Sequence, residues 1–267
     1  MDTISPLVLS ILTEQAVIDD STVRLTSGDL GDDYKSVDDV LKRCGGKWNT
    51  SKQLHLFDRG TDTLRIALDS GVLPPKNPLA FFPTPYELAS MVCDRSGAHR
   101  GCKILEPSAG HGAFAKCLRD EHDVPVGNMD LIEFDPYNCA ELRHQGFQPH
   151  EMDFMDWKPD YTYDCVIMNP PFSVKGDPIA HVTHFLHAYD MWHGDKGNMV
   201  AILPPTHIPN WCFSHERGKG CSEISNNPKI QRYQRIIEEF GHTESNPPKA
   251  FRESGTDIDT VTVLLLG

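Results

Sequence analysis

Residues 163–174 read YDCVIMNPPFSV. An apolar run, Cys165 to Met168, stops at an amide, Asn169. Two residues without an N–H, Pro170 and Pro171, and an aromatic ring, Phe172, follow. A strand needs only one Gly or Asp to end, so this ending asks for another reason. The prolines fix φ and remove two donors, so the turn offers carbonyl oxygens with no competing N–H. Asn169 adds a side-chain oxygen and Phe172 a flat face. The plain alternative is a Pro-Pro turn after a buried strand. A second stretch, ILEPSAGHGAF (104–114), ends a strand and opens a helix. Gly110 and Gly112 permit a tight turn and close approach of backbone to a ligand. Position 115, where a dinucleotide fingerprint has its third glycine, is Ala, which that position tolerates. Glu133 ends the next strand, where a carboxylate can bond ribose hydroxyls. A glycine turn beside a solvated acid is the bland reading of the same residues.

Elements that alternate must position these groups. The pattern predicts helices at 86–97, 112–122, 137–145 and 178–192, and strands at 103–106, 129–134, 163–168 and 198–203. Strands separated by helices at this spacing mean βαβ units and a mostly parallel sheet covered on both faces. KAFRESGTDIDTVTVLLLG (249–267) reads as two strands about a Gly turn, an antiparallel hairpin closing the sheet. Residues 1–75 break the pattern. A helix stopped at Gly45–Gly46 and a strand in QLHLFDRG make them a small α+β appendage, with 1–33 expected to be flexible, and GVLPPKNP (71–78) is the connector. Trp48 is expected in the core of the appendage.

Composition sets limits. A chain of 267 residues, 39% hydrophobic and 24% charged, is an ordinary globular one. No run is long enough for a membrane span and LVLSIL lacks the basic flank of a signal peptide, so a cytoplasmic protein with reduced thiols is expected, in a bacterial or phage-infected cell. The net charge of −13 argues weakly against a polyanionic partner. Its distribution is uneven: residues 1–40 carry nine acids and two bases, whereas 211–235 carry five bases and two acids.

In order, FFPTP (81–85), LEPSAGHGAF (105–114), IEFDP (132–136), MDF (152–154), NPPF (169–172) and FRESGT (251–256) resemble the motifs of S-adenosylmethionine-dependent adenine-N6 DNA methyltransferases. The resemblance covers about 81–267. GGKWN and HLFD in the appendage resemble small phage-type and prophage-type members. A Rossmann-like class I methyltransferase domain over 76–267 is then implied, together with site-specific methylation of a flipped adenine in DNA. Asn169 and Pro170 would hold the amine with their oxygens, and Phe172 would stack on the base. Phe82 and Thr84 would approach the methionine end of the cofactor. Glu106, Ser108, Gly110 and Gly112 would line its centre. Glu133 would take the ribose, Phe134 and Phe154 the adenine ring, and Asp153 its amine; for both aromatics plain core packing is the alternative. Phe251 would stack on the flipped base. No recognition domain follows the last strand, which implies a short target and leaves a separate specificity partner or a homodimer open.

NWCFSHERGKGCSEISNN (210–227) is long for a connection. Arg217 and Lys219 are candidates for phosphate contacts, and Ser222, Asn226 or Asn227 for reading bases; a loop without a role is the alternative. No metal is expected. His181, His184 and His187 lack a carboxylate partner, and Cys212, His215 and Cys221 match no zinc spacing. Three rival readings remain: methylation of RNA adenine, methylation of a protein glutamine amide, and a non-catalytic cofactor- or nucleic-acid-binding module.

Overall fold

The computed structural model describes residues 2–26, 30–58, 60–74, 83–194, 197–209, 226–252 and 257–267. Phe82, Arg217, Lys219, Ser222, Cys212, His215 and Cys221 lie outside them. In chain order the first elements are α1 (Pro6–Glu14), β1 (Ala16–Ile18), β2 (Thr22–Leu25), α2 (Tyr34–Arg43), β3 (Gly46–Asn49), β4 (Leu54–Phe57) and α3 (Asp62–Ser70). Next come α4 (Tyr86–Ser96), β5 (Ile104–Glu106), α5 (Ala113–Glu121), β6 (Met129–Glu133), α6 (Pro136–His144), β7 (His150–Glu151) and β8 (Cys165–Met168). The last are α7 (Ala180–Tyr189), β9 (Met199–Leu203), α8 (Pro228–Phe240), β10 (Gly241–Ser245) and β11 (Val261–Leu265).

The chain divides into two compact units, and the division is not a single cut. Residues 136–145, which carry α6, group with 1–78; residues 79–135 and 146–267 form the other unit. In the first unit the sheet order is β1-β2-β4-β3, antiparallel throughout, so the segment 1–33, expected to be flexible, instead supplies α1 and two paired strands. Its core gathers Leu12, Val37, Leu41, Leu64 and Ala67, and Tyr137 of α6 joins them. Trp48 is not in that core. It lies on the edge strand β3, 39% exposed, with its ring against the rings of Tyr34 and His55. Strand side chains project from the two faces of a sheet, and on its face Trp48 is covered by the Tyr34 and His55 rings with the rest of its indole open to solvent.

The second unit carries a seven-stranded sheet in the order β10-β11-β9-β8-β5-β6-β7. β7, β6, β5, β8 and β9 are parallel, and β11 runs antiparallel to both β9 and β10. β5, β8 and β9 are buried at every position, which is why their sequences show no alternation. From β5 the chain passes through α5 to β6 on one side; from β8 it passes through α7 to β9 on the other. The order therefore reverses between β5 and β8. The crevice at their carboxyl ends is where open α/β sheets bind ligands.

A C-terminal antiparallel hairpin is present, but its first strand is Gly241–Ser245, not residues after 249. Pro247 and Pro248 supply no N–H to a ladder, and Lys249 adopts a left-handed φ of 59°. Asn246 closes the connection instead, bonding Thr260 and Thr262 through its side chain. Helix α8 runs into the hairpin. It has the signals of a helix start, Asn227 accepting from the Lys229 N–H with Pro228 at the first position, and it buries Ile230, Tyr233, Ile236 and Ile237.

The crevice rests on the packing of β8. Ile167 is fully buried, so Ile167→Ala should cost about 2–5 kcal/mol and Ile167→Val about 0.5–1.5 kcal/mol in denaturant unfolding. Equal, small losses for both would show that β8 is not held by its side chains.

Candidate active site

The loop after β5 is shaped by two left-handed glycines, Gly110 with φ 53° and Gly112 with φ 75°. Gly112 caps α5 with no side chain in the way. The Ala109 N–H donates to the Ile132 carbonyl at 3.0 Å, which ties the loop to β6. Glu133, at the end of β6, lies against this loop. One carboxylate oxygen accepts from the Gly110 N–H at 2.7 Å and the other from the Asp135 N–H at 2.8 Å.

Glu106 ends β5 and is only 1% exposed. Its Oε2 has no hydrogen-bond partner. Burial first, then the neighbouring Glu133 charge, push its carboxyl well above the ordinary range, and only the Ala115 N–H pulls the other way.

Beside β5, strand β8 delivers Asn169. The Asn169 Nδ2 donates to Thr84 Oγ1 at 3.1 Å, across 85 positions of chain. With the nitrogen so engaged, the Oδ1 remains as an acceptor. Pro170 is buried; Pro171 and Phe172 are half-buried. The Thr84 hydroxyl, expected at a cofactor, thus has a second task that sequence reasoning missed. No local signal marks a contact between a pre-helix segment and a strand end. Ser108 is half-buried in the same loop.

The aromatic candidates separate by burial. Phe134 is 71% exposed, so it is no core residue and its ring is open to a ligand. Phe154 is buried in the core, its ring against those of His184 and His187. Asp153 caps the turn that carries Phe154, accepting from the Met155 N–H at 2.9 Å. Phe251 is 2% exposed, and a ring with no open face cannot stack on an incoming base in this conformation. Asn227 is occupied as the cap of α8. Of the three histidines of α7, His181 and His184 are buried and His187 is half-buried, and burial lowers the His184 pKa to about 4.

Among the described residues, Cys117, Glu121 and His122 bring potential ligand atoms within 4.8 Å of one another. Glu121 already accepts from the Tyr86 hydroxyl at 2.5 Å and the Ser90 hydroxyl at 3.2 Å. The Glu121 carboxylate is thus held by two hydroxyls.

No family model matches the chain. A type II methyltransferase, M.CvrRI, of Paramecium bursaria Chlorella virus XZ-6E is 32% identical over 145 residues, 49% of this chain and 38% of that protein. A tRNA1(Val) (adenine(37)-N6)-methyltransferase of Klebsiella pneumoniae is 33% identical over 89 residues, 29% of this chain and 35% of that protein. The matches thus span well under half of either relative. Among solved structures, the methyltransferase subunit of a type I restriction-modification system from Streptococcus thermophilus superposes with a TM-score of 0.51 at 19% identity, over 69% of this chain and 44% of that one. The fold is that of a class I methyltransferase. In this fold the reversal between β5 and β8 and the glycine loop form one crevice, and Glu106, Glu133, Thr84 and Asn169 are the polar groups that the strands and their flanking segments bring to it.

Because the Glu106 pKa is raised in the folded state, ionisation of this group opposes folding as pH rises from its ordinary 4.5 towards the raised value. Glu106→Gln should therefore match the wild type in stability near pH 4.5 and gain on it as pH rises. The gain should be on the order of 1–3 kcal/mol, the cost of a buried unsatisfied polar group. Thermal unfolding of the ligand-free protein across pH checks this; a difference that stays constant with pH would contradict it.

Proposed function

We propose that the protein transfers a methyl group from S-adenosylmethionine to the N6 amine of an adenine in DNA. The observation that carries this reading is the fixed orientation of Asn169, whose nitrogen is held by Thr84 at the carboxyl end of β8. The residues at the crevice suit the cofactor. The Glu106 carboxyl, whose Oε2 has no partner, matches an ammonium group, Glu133 ends β6 against the glycine loop where ribose hydroxyls would lie, and the exposed ring of Phe134 offers a face for an adenine. Ser108, Gly110 and Gly112 would line its centre, Asp153 would accept from its amine, and Phe82 would approach its methionine end. When bound, S-adenosylmethionine supplies an electrophilic methyl group on a sulfonium.

The protein's part is to make a poor nucleophile better. An exocyclic amine on adenine shares its lone pair with the ring. Acceptors at Asn169 Oδ1 and the Pro170 carbonyl engage its two N–H bonds and favour the pyramidal, partly positive nitrogen of the transition state. Phe172 gives the extruded base a face. No strong general base is needed, since the product ammonium is acidic and its proton leaves to solvent. The rest is positioning. Phe251 takes part in stacking only if its turn opens. Arg217 and Lys219 remain proposed phosphate contacts.

The similarity to a tRNA adenine-N6 methyltransferase favours RNA adenine as a second reading. No helix among the described residues is long and apolar enough to cross a membrane.

Asn169 acts as charge develops on the nitrogen. Asn169→Ala should lower the single-turnover rate of methyl transfer by about 10²-fold or more, as for loss of one oxyanion-hole contact, with affinity for S-adenosylmethionine retained. Wild-type rates in a folded variant would remove Asn169 from the chemistry.

A further inference from the structure

The NPPF turn is held at both ends. Asn169 is fixed by Thr84; at the far end the Phe172 carbonyl meets His181 Nδ1 at 2.9 Å. A carbonyl cannot donate, so Nδ1 carries the proton. His181 stands in the first turn of α7, 3% exposed, and its Nε2 is buried without a hydrogen-bond partner. The ring is clamped on two sides. His207 stacks on it, 5.9 Å between centroids and 5° between planes, and Tyr233 of α8 meets it edge-on at 6.3 Å. His207 follows β9 and adopts a left-handed φ of 71°, a costly conformation for a residue other than glycine.

A leucine would fill this space without stranding a polar nitrogen. What the imidazole adds is a directed donor to the Phe172 carbonyl. The two prolines already fix φ at 170 and 171, and Thr84 fixes the Asn169 amide. The remaining freedom lies in ψ at 170 and 171 and at Phe172, whose carbonyl sets the peptide plane that follows. We propose that His181 is a positioning residue for methyl transfer. Its Nδ1–H pins the Phe172 carbonyl, and so holds the Pro170 carbonyl and the Phe172 ring in register with Asn169. This rests on the amine-methylation reading. Through His207 the same contact links the turn to the segment after β9, where the long 210–227 connection begins.

The test compares His181→Leu, which removes the donor, with His181→Asn, whose side-chain nitrogen takes the place of Nδ1. Two quantities are read on each: single-turnover methyl transfer to adenine in a duplex, and hydrogen exchange of the Val174 amide, which donates to the Asp177 carbonyl at 2.9 Å, in the ligand-free protein. His181→Leu should slow transfer about 10- to 100-fold, as for a misplaced reacting group, leave S-adenosylmethionine affinity unchanged and speed exchange at the Val174 amide. His181→Asn should restore most of the rate and of the protection. Equal behaviour of the two variants, whether both impaired or both like wild type, would overturn the proposal and leave the methylation reading standing. A wild-type protein that transfers no methyl group, yet shows the donor-dependent exchange pattern, would overturn the methylation reading and leave His181 as the pin of the turn.

Discussion

The parallel pairing of β5 with β8 is the constraint on which the site depends. Ile104 lies opposite Cys165 and Leu105 opposite Val166, so the two strands reach the crevice side by side. One ends in Glu106 and the other in Asn169. Both strands are buried at every position, so neither end can shift without moving the core. A buried acid and an oriented amide are thereby brought to the same edge from residues 63 positions apart in sequence. The same core includes Leu105, Val166, Met168, Ala201 and Val263, drawn from four strands. Adjustments at the crevice are left to the loops: two left-handed glycines on one side and two prolines on the other.

Polar groups at this edge are held by one another rather than by solvent. Glu133 is bonded by two backbone N–H groups, Asn169 by Thr84, and the Phe172 carbonyl by His181. Preorganisation of this kind stabilises a transition state because the dipoles need no reorientation when charge develops. Glu106 is the exception, and its unpaired oxygen is where the site stores unfavourable energy that a cationic ligand would relieve.

The parallel strands were legible because continuous apolar runs such as CVIM and MVAIL have one meaning between helical patterns. The glycine loop and NPPF were legible as local spellings. The hairpin was only half legible: VTVLLL declares a strand, but its partner Gly241–Ser245 reads GHTES, whose strand character comes from pairing with β11 rather than from propensity. Helix α8 was hidden by attention to its bases, although Asn227–Pro228 and the spacing of Ile230, Tyr233 and Ile237 spell a capped amphipathic helix. The position of α6 in the first unit and the exposure of Trp48 depend on which faces neighbouring elements cover, which no local pattern records. Contacts between distant segments, Thr84 to Asn169 and His181 to Phe172, were illegible for the same reason. The acidic N-terminal segment was plain in composition. There the bases Arg43, Lys42 and Lys47 are each paired with an acid, Asp2, Asp38 and Asp58.

The account turns on the identity of the methylated atom. The direct measurement is to incubate the protein with isotopically labelled S-adenosylmethionine and, separately, DNA or RNA, then hydrolyse each nucleic acid and identify labelled nucleosides by mass spectrometry. The account predicts label in N6-methyldeoxyadenosine from DNA and in no cytosine product. Label in RNA adenine alone would move the acceptor to the second reading. Label in a ring carbon of cytosine, or in neither nucleic acid, would contradict the role assigned to Asn169 and the NPPF turn.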